Sequence, residues 1–158
     1  MQRINSGGSV IINWFLKKFD ELTNDELYDI LKLRSEVFVV EQDCVYNDLD
    51  DRDKVAYHLF LKDLDEIVAV SRILPENTRF EEFSIGRLIV KKSHRGRGLS
   101  RLMMKKAIDF IINDLNQNKI RLSGQAYLTD YYISLGFKKV SDFYLEDGID
   151  HFEFLYEK

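Results

Sequence analysis

One cysteine, one proline, three histidines and no long hydrophobic run mark this 158-residue chain. Each shortage excludes something. Cys44 has no second cysteine to bond, so an internal disulfide is impossible, which fits a reducing, cytoplasmic setting. With Pro75 alone and no Gly/Ser/Pro-rich tract, the chain has no internal linker. No stretch approaches the roughly 20 apolar residues of a membrane helix, so no membrane partner is expected. His58, His94, His151 and Cys44 are scattered without ligand spacing, so no metal site is expected. No period recurs, which argues against a solenoid. A net charge of −4 disfavours a general nucleic-acid surface. The length suits one domain. Residues 1–9, with Gly7 and Gly8, read as a flexible lead, and 10–158 as a single domain, monomeric or homodimeric.

What is present alternates between the two secondary-structure periods. Val10 to Lys18 reads as a strand. Thr23-Asn24-Asp25-Glu26 is a capping box, and Leu27, Ile30 and Leu31 follow on one face, predicting a helix to about Val37. Asp48, Asp50, Asp51 and Asp53 then form an acidic loop, either solvated surface or a lip that attracts a cationic amine. Residues 55–62, 67–74 and 83–91 predict three antiparallel strands. A helix follows from Ser100 to about Asp114, its Met103-Met104 pair reading as core. Residues 120–126 predict a strand parallel to the one before that helix. Thr129 caps a short helix through Leu135, stopped by Gly136. Residues 137–144 and 149–156 predict strands joined across Glu146-Asp147-Gly148. The sum is an α/β (α+β) domain.

Between the 83–91 strand and the long helix lies Ser93-His94-Arg95-Gly96-Arg97-Gly98-Leu99-Ser100-Arg101. The first amides of a helix lack intrahelical partners and carry the positive end of its dipole. Gly96 and Gly98 allow close backbone approach. Residues 87–106 hold eight Lys or Arg and no Asp or Glu, a local +8 in a chain of −4, so the remainder carries −12. That contrast points to a polyphosphate ligand. A dinucleotide fingerprint would need a third glycine where Arg101 stands. A plain solvated connection is the bland reading. The remaining pattern is Arg/Gln-x-x-Gly-x-Gly/Ala, with Arg95, Gly98 and the small Ser100 at its fixed positions.

That pattern resembles the coenzyme A cradle of the GNAT N-acetyltransferase superfamily. Tyr131-Tyr132-Ile133-Ser134-Leu135-Gly136-Phe137 is similar to the superfamily's aromatic-Tyr-x-x-x-Gly-Phe segment. Leu33 to Gln42, Tyr144 to His151 and Gly124-Gln125-Ala126 resemble stretches of the ElaA-like family within it. Asp150 departs from that family's pattern, where Pro is expected. The resemblance covers the chain from about residue 10. It implies a mixed, mostly antiparallel sheet flanked by helices, with a parallel strand pair splayed around an acyl-CoA cleft. It implies acetyl-CoA as cosubstrate, held by Leu88, Ile89, Val90, Arg95, Gly96, Arg97, Gly98, Leu99, Ser100 and Arg101. A backbone amide near Leu88 to Val90 would meet the oxyanion, and Tyr132 would be the general acid.

The implied reaction is direct acetyl transfer to a primary amine, whose ammonium must first lose a proton. Glu41 is a candidate base, through water, or only helix-end polarity. Gln42, Gln125 and His151 are candidates for the acceptor side. His58 reads as a structural histidine and His94 as added charge at the turn. Cys44 has no histidine at motif spacing to activate it. A non-catalytic acyl-CoA-binding sensor would use the same turn. A nucleic-acid binder would want aromatics interleaved with the basic residues, and these are missing.

Overall fold

The computed structural model describes residues 3–5 and 11–158. The rest of the expected N-terminal lead lies outside the described residues, but Arg3–Asn5 is a strand, β1, paired antiparallel with β2 (Ile11–Lys18). Strands β3 (Tyr57–Asp63), β4 (Glu66–Leu74) and β5 (Ser84–Val90) extend this sheet in chain order, all antiparallel. Eight of the nine β4 residues are buried, because helices cover both faces of this central strand. Helix α1 (Asn24–Arg34) continues as a wider π-type turn through Ser35–Glu41, beyond the end that periodicity predicts. Its start is the expected capping box. Glu26 N–H donates to Thr23 Oγ1 and Thr23 N–H to Glu26 Oε1, both at 3.0 Å. Ile30, Leu33 and Val37 pack on Phe60, Ile67, Val70 and Ile89. Helix α2 (Leu99–Asp109), with a wider turn through Phe110–Asp114, covers the opposite face through Leu99, Met103, Met104, Ala107 and Ile111. The methionine pair is core, as expected.

A second sheet holds β6 (Lys119–Gln125), β7 (Phe137–Lys139), β8 (Tyr144–Glu146) and β9 (Ile149–Glu157), each of the first three pairing antiparallel with β9. The single strand expected over 137–144 is therefore two. Between them Val140 N–H donates to Glu153 O, and Ser141 Oγ accepts the Glu153 amide, so a polar detour replaces the ladder. Asp147 and Gly148 at positive φ close the hairpin. Helix α3 (Thr129–Ser134) precedes β7. Thr129 is not its N-cap: it lies inside the helix and donates its hydroxyl to Ala126 O at 2.6 Å. Gly136, at φ 99°, stops the chain turning as expected.

Among the described residues one β-bridge joins the two sheets. Phe83 forms a parallel bridge with Ile120, and Arg121 N–H donates to Phe83 O at 2.9 Å. The divergence beyond it has a visible cause in β5. Arg72 faces Gly86 and Val70 faces Ile89, so Ser71 alone opposes Arg87 and Leu88, with Arg87 at φ 50°. This bulge bends β5 away from β6. The parallel pair is thus joined at its base and splayed above it, as the fold resemblance implies.

Candidate active site

The basic turn is built largely from backbone. Gly96 and Gly98 stand at φ 80° and 72°, which a β-carbon would strain, and the space over both is open. Gly98 caps α2, leaving the first amides of that helix without helical partners. His94 anchors the turn: its Nε2 lies 2.8 Å from Asp63 Oδ2 at the end of β3, and its Nδ1 meets Ser93 Oγ at 2.7 Å. Leu88, Ile89, Val90, Arg95, Gly96, Gly98, Leu99 and Ser100 line a cavity of about 270 Å³ here. Arg97 and Arg101 are not part of that wall. Arg97 is exposed, whereas Arg101 lies over the Tyr131 ring and donates to Ser134 Oγ at 3.0 Å, tying α2 to α3. Open space over two positive-φ glycines, free helix amides and a cationic side chain fit a pyrophosphate.

Arg95 already has a partner. Its Nε donates to Val90 O at 2.9 Å, and its two terminal nitrogens reach the Glu41 carboxylate at 2.5 and 2.8 Å. Glu41, the candidate base, is thus paired with Arg95. The Arg95 hydrogen bond holds its carboxyl below the usual range, and Glu41 does not line the larger cleft between β5 and β6. A carboxylate already committed to a guanidinium is a poor proton acceptor.

A larger cleft of about 690 Å³ opens between β5 and β6. Gln42, Gln125, His151 and Tyr132 all line it, so the structure brings three expected acceptor-side residues and the expected acid to one cleft. Leu88 and Ile89 line both cavities. Tyr132 packs against Phe154, with ring centroids 4.7 Å apart, and edge-on against Tyr131 and Phe137. Burial, helped by neighbouring Tyr131 and Tyr127, pushes its hydroxyl up to about 12. The hydroxyl has no hydrogen-bond partner among the described residues. Gly124 makes room for this ring: a β-carbon there would stand 2.4 Å from Tyr132 Cε2. The sequence places Gly124 in a family-like stretch, but its reason lies in α3, whose Tyr132 ring packs directly over it.

His151 lies at the inner end of β9, opposite Gln125. Its Nδ1–H donates to Ile149 O at 2.7 Å, and its Nε2 lies 3.3 Å from Glu146 Oε2. Ser123 Oγ bonds Tyr144 OH at 2.5 Å and Glu146 Oε2 at 3.3 Å. Arg79 reaches Glu146 Oε1 at 2.5 Å.

The acidic loop is neither a solvated run nor a lip of free carboxylates. Arg34 donates to Asp48 at 2.9 Å and to Asp53 at 2.6 Å. Arg72 takes Asp50 at 2.7 and 2.9 Å and Asp53 at 3.2 Å, and Arg87 lies 2.8 Å from Asp48. Burial pushes the Asp50 carboxyl up, but the Arg72 hydrogen bond and charge, the Arg52 amide and Arg87 outweigh it and bring it down to about 2. Only Asp51 of the four is exposed. His58 belongs to the same interior. Its Nε2–H donates to Asp53 O at 2.9 Å, and burial lowers its pKa, so it is the structural histidine expected. Cys44 lines the large cleft, and no histidine is bonded to it among the described residues.

Among the described residues no group of His, Cys, Asp or Glu has metal-site geometry, and no helix is long and apolar enough to cross a membrane. The acetyltransferase (GNAT) domain family matches residues 20–158. Protein ElaA of Escherichia coli is 37% identical over 143 residues, covering 89% of this chain and 94% of that protein. A UPF0039 protein of Synechocystis sp. is 38% identical over 146 residues, covering 92% and 95%. Among solved structures, an acyl-CoA N-acyltransferase from Pseudomonas aeruginosa superposes with a TM-score of 0.88 at 35% identity, covering 92% of this chain and 99% of that one. The crystal structure of E. coli ElaA superposes at 0.86 with 36% identity and the same coverage. Cradle, splayed strands and family match agree: the chain belongs to the GNAT acetyltransferase superfamily and, within it, to the ElaA-like family.

Proposed function

We propose that the protein transfers an acetyl group from acetyl-CoA to a primary amine, both bound at once, as a cytoplasmic enzyme. One observation carries this reading. Leu88 and Ile89 wall both the glycine turn and the large cleft, so one strand leads from the pyrophosphate site to Tyr132. Arg95, Gly96, Gly98 and the first α2 amides hold the pyrophosphate. The β5 backbone at Leu88 to Val90 orients the thioester and meets the charge that develops on its carbonyl oxygen. The new nitrogen–carbon bond forms as the carbon–sulfur bond breaks. The ammonium loses one proton to solvent before attack; Tyr132 donates its hydroxyl proton to the departing sulfur, and the second proton that the nitrogen sheds as the amide forms returns through water to Tyr132. A hydroxyl held near 12 is fully protonated at neutral pH, as a donor must be.

The test measures free thiol released from acetyl-CoA with a panel of amines, beside melting with acetyl-CoA and with NADH. At a hundredfold excess over its dissociation constant, acetyl-CoA should stabilise the fold by about 2.7 kcal/mol. An equal shift with NADH overturns the cradle. Binding without thiol release, whatever the amine, leaves an acyl-CoA-binding module instead.

A further inference from the structure

The large cleft shows its guanidinium groups to the ligand and hides their counter-charges. Arg52, Arg72, Arg79 and Arg87 line it, against Glu146 and Asp147 at the hairpin. Asp48, Asp50 and Asp53 stand behind the arginines and are not part of the wall. Arg34, Arg52, Arg72 and Arg87 share those three carboxylates, which leaves one positive charge over at this end. Donors are also left over. The Arg72 side chain is 3% exposed, yet its Nε is buried with no partner. Arg52 comes no closer than 3.6 Å to Asp50, and the Arg52 and Arg87 side chains are 40% and 20% exposed. At the other end Glu146 is held by Arg79, while Gln125, His151 and Tyr132 surround the point where the amine must react.

We propose that the acceptor is a small amine carrying a carboxylate, of which a free amino acid is the simplest case; this rests on the acetyl-transfer reading above. The carboxylate docks on Arg52 and Arg87, the amine points along the cleft to Tyr132, and buried Arg72 holds Asp50 and Asp53 behind them. A cleft of about 690 Å³ suits a molecule of that size beside the end of the CoA arm. Planar guanidinium forks match a carboxylate in geometry as well as charge.

The experiment titrates each common amino acid and its carboxamide into protein saturated with free CoA, read by calorimetry, and repeats both with acetyl-CoA, read as thiol release. At least one acid should bind about tenfold or more tighter than its amide, the scale of one charge-assisted hydrogen bond. The Arg52→Gln and Arg87→Gln variants should each move that ratio towards one. The ratio is taken within one protein, so a smaller folded fraction does not distort it. Equal binding of acids and amides, no binding of any acid, or a ratio that survives both variants overturns the inference. So does a preference confined to peptides that begin with Asp or Glu over those that begin with Asn or Gln. Thiol release without a carboxylate preference sinks this inference alone. Carboxylate-selective binding without thiol release sinks acetyl transfer and, with it, the acceptor role, leaving only a carboxylate-binding cleft.

Discussion

Arg34 and Arg95 both pair with carboxylates, and the two pairs could hardly differ more. Arg34 is 1% exposed and its partner Asp53 9%, inside a web that also takes in Asp48, Asp50, Arg72 and Arg87. Arg95 and Glu41 are 40% and 38% exposed and bridge only two elements. In the interior each charge needs the other, because desolvation is offset only while every lone pair and proton is met. At the surface water stands in for either partner, so the pair holds little and can be exchanged. A cluster of charges in a sequence is therefore two different things. Buried, it is scaffold; exposed, it waits for a ligand.

The sharpest way to break this comparison is Arg34→Met. It strands Asp48 and Asp53 with fewer cations, and we expect a loss of about 3–5 kcal/mol in denaturant unfolding. A loss below about 1 kcal/mol would put Arg34 in the same class as Arg95. Acid sharpens the same contrast. Asp50 is held near 2, below its ordinary 3.8, so its contribution is whole above the upper value and fades as pH falls through the lower one. Asp50→Asn should therefore flatten the decline in stability across that interval, read by melting at a series of pH values.

Tyr132 belongs to neither cluster, and its test separates chemistry from charge. Tyr132→Phe keeps the ring stack on Phe154 and removes one hydroxyl. Turnover should fall at the low end of the roughly 10²–10⁴-fold range of general acid catalysis, or below it, because a thiol near pKa 8.5 leaves with little help. Acetyl-CoA affinity should stay within a few-fold. Wild-type turnover should show no alkaline loss from this hydroxyl short of about pH 12. Equal turnover in both proteins would reduce Tyr132 to a packing residue.

Gly98→Val acts on the turn. At φ 72° a β-branched residue is strained, and the path of the backbone amides must change. Acetyl-CoA should bind about tenfold or more weaker in a folded protein, by calorimetry. Unchanged affinity would remove the cradle. The smallest effect is Glu41→Gln. It should leave melting unmoved and tighten acetyl-CoA roughly two- to fivefold, since Arg95 no longer divides itself between carboxylate and phosphate. Weaker binding would mean that Glu41 positions Arg95 rather than competing for it.

Much of this was legible where cause and effect lie close in the chain. The Thr23–Glu26 box, the glycines before α2 and the stop at Gly136 are local chemistry, and each stands where the residues put it. The acidic loop misled because its partners are remote: Asp48 finds Arg87, and Asp50 finds Arg72, from other strands. Glu41 meets Arg95 across 54 positions, and no local pattern announces it. The break between β7 and β8 depends on Ser141 reaching the Glu153 amide, which the apolar pattern of 137–144 conceals. Gly124 was visible as a glycine, but the clash it avoids needs the Tyr132 ring in place.

The bulge in β5 also sets a parity. Side chains four apart on an unbroken strand share a side. Ile85 and Ile89 do not: Ile85 joins the core under α2, and Ile89 the core under α1. The extra residue at Arg87 and Leu88 reverses odd and even for everything after it. An unbroken ladder of the same length would turn Ile89 towards α2 and Val90 towards α1, and the stretch joining the phosphate turn to the cleft would present its opposite side to both. Deleting one of the two bulged residues would instead mend the ladder and leave Ile89 opposite Val70 and Val90 opposite Ala69, each on its present side.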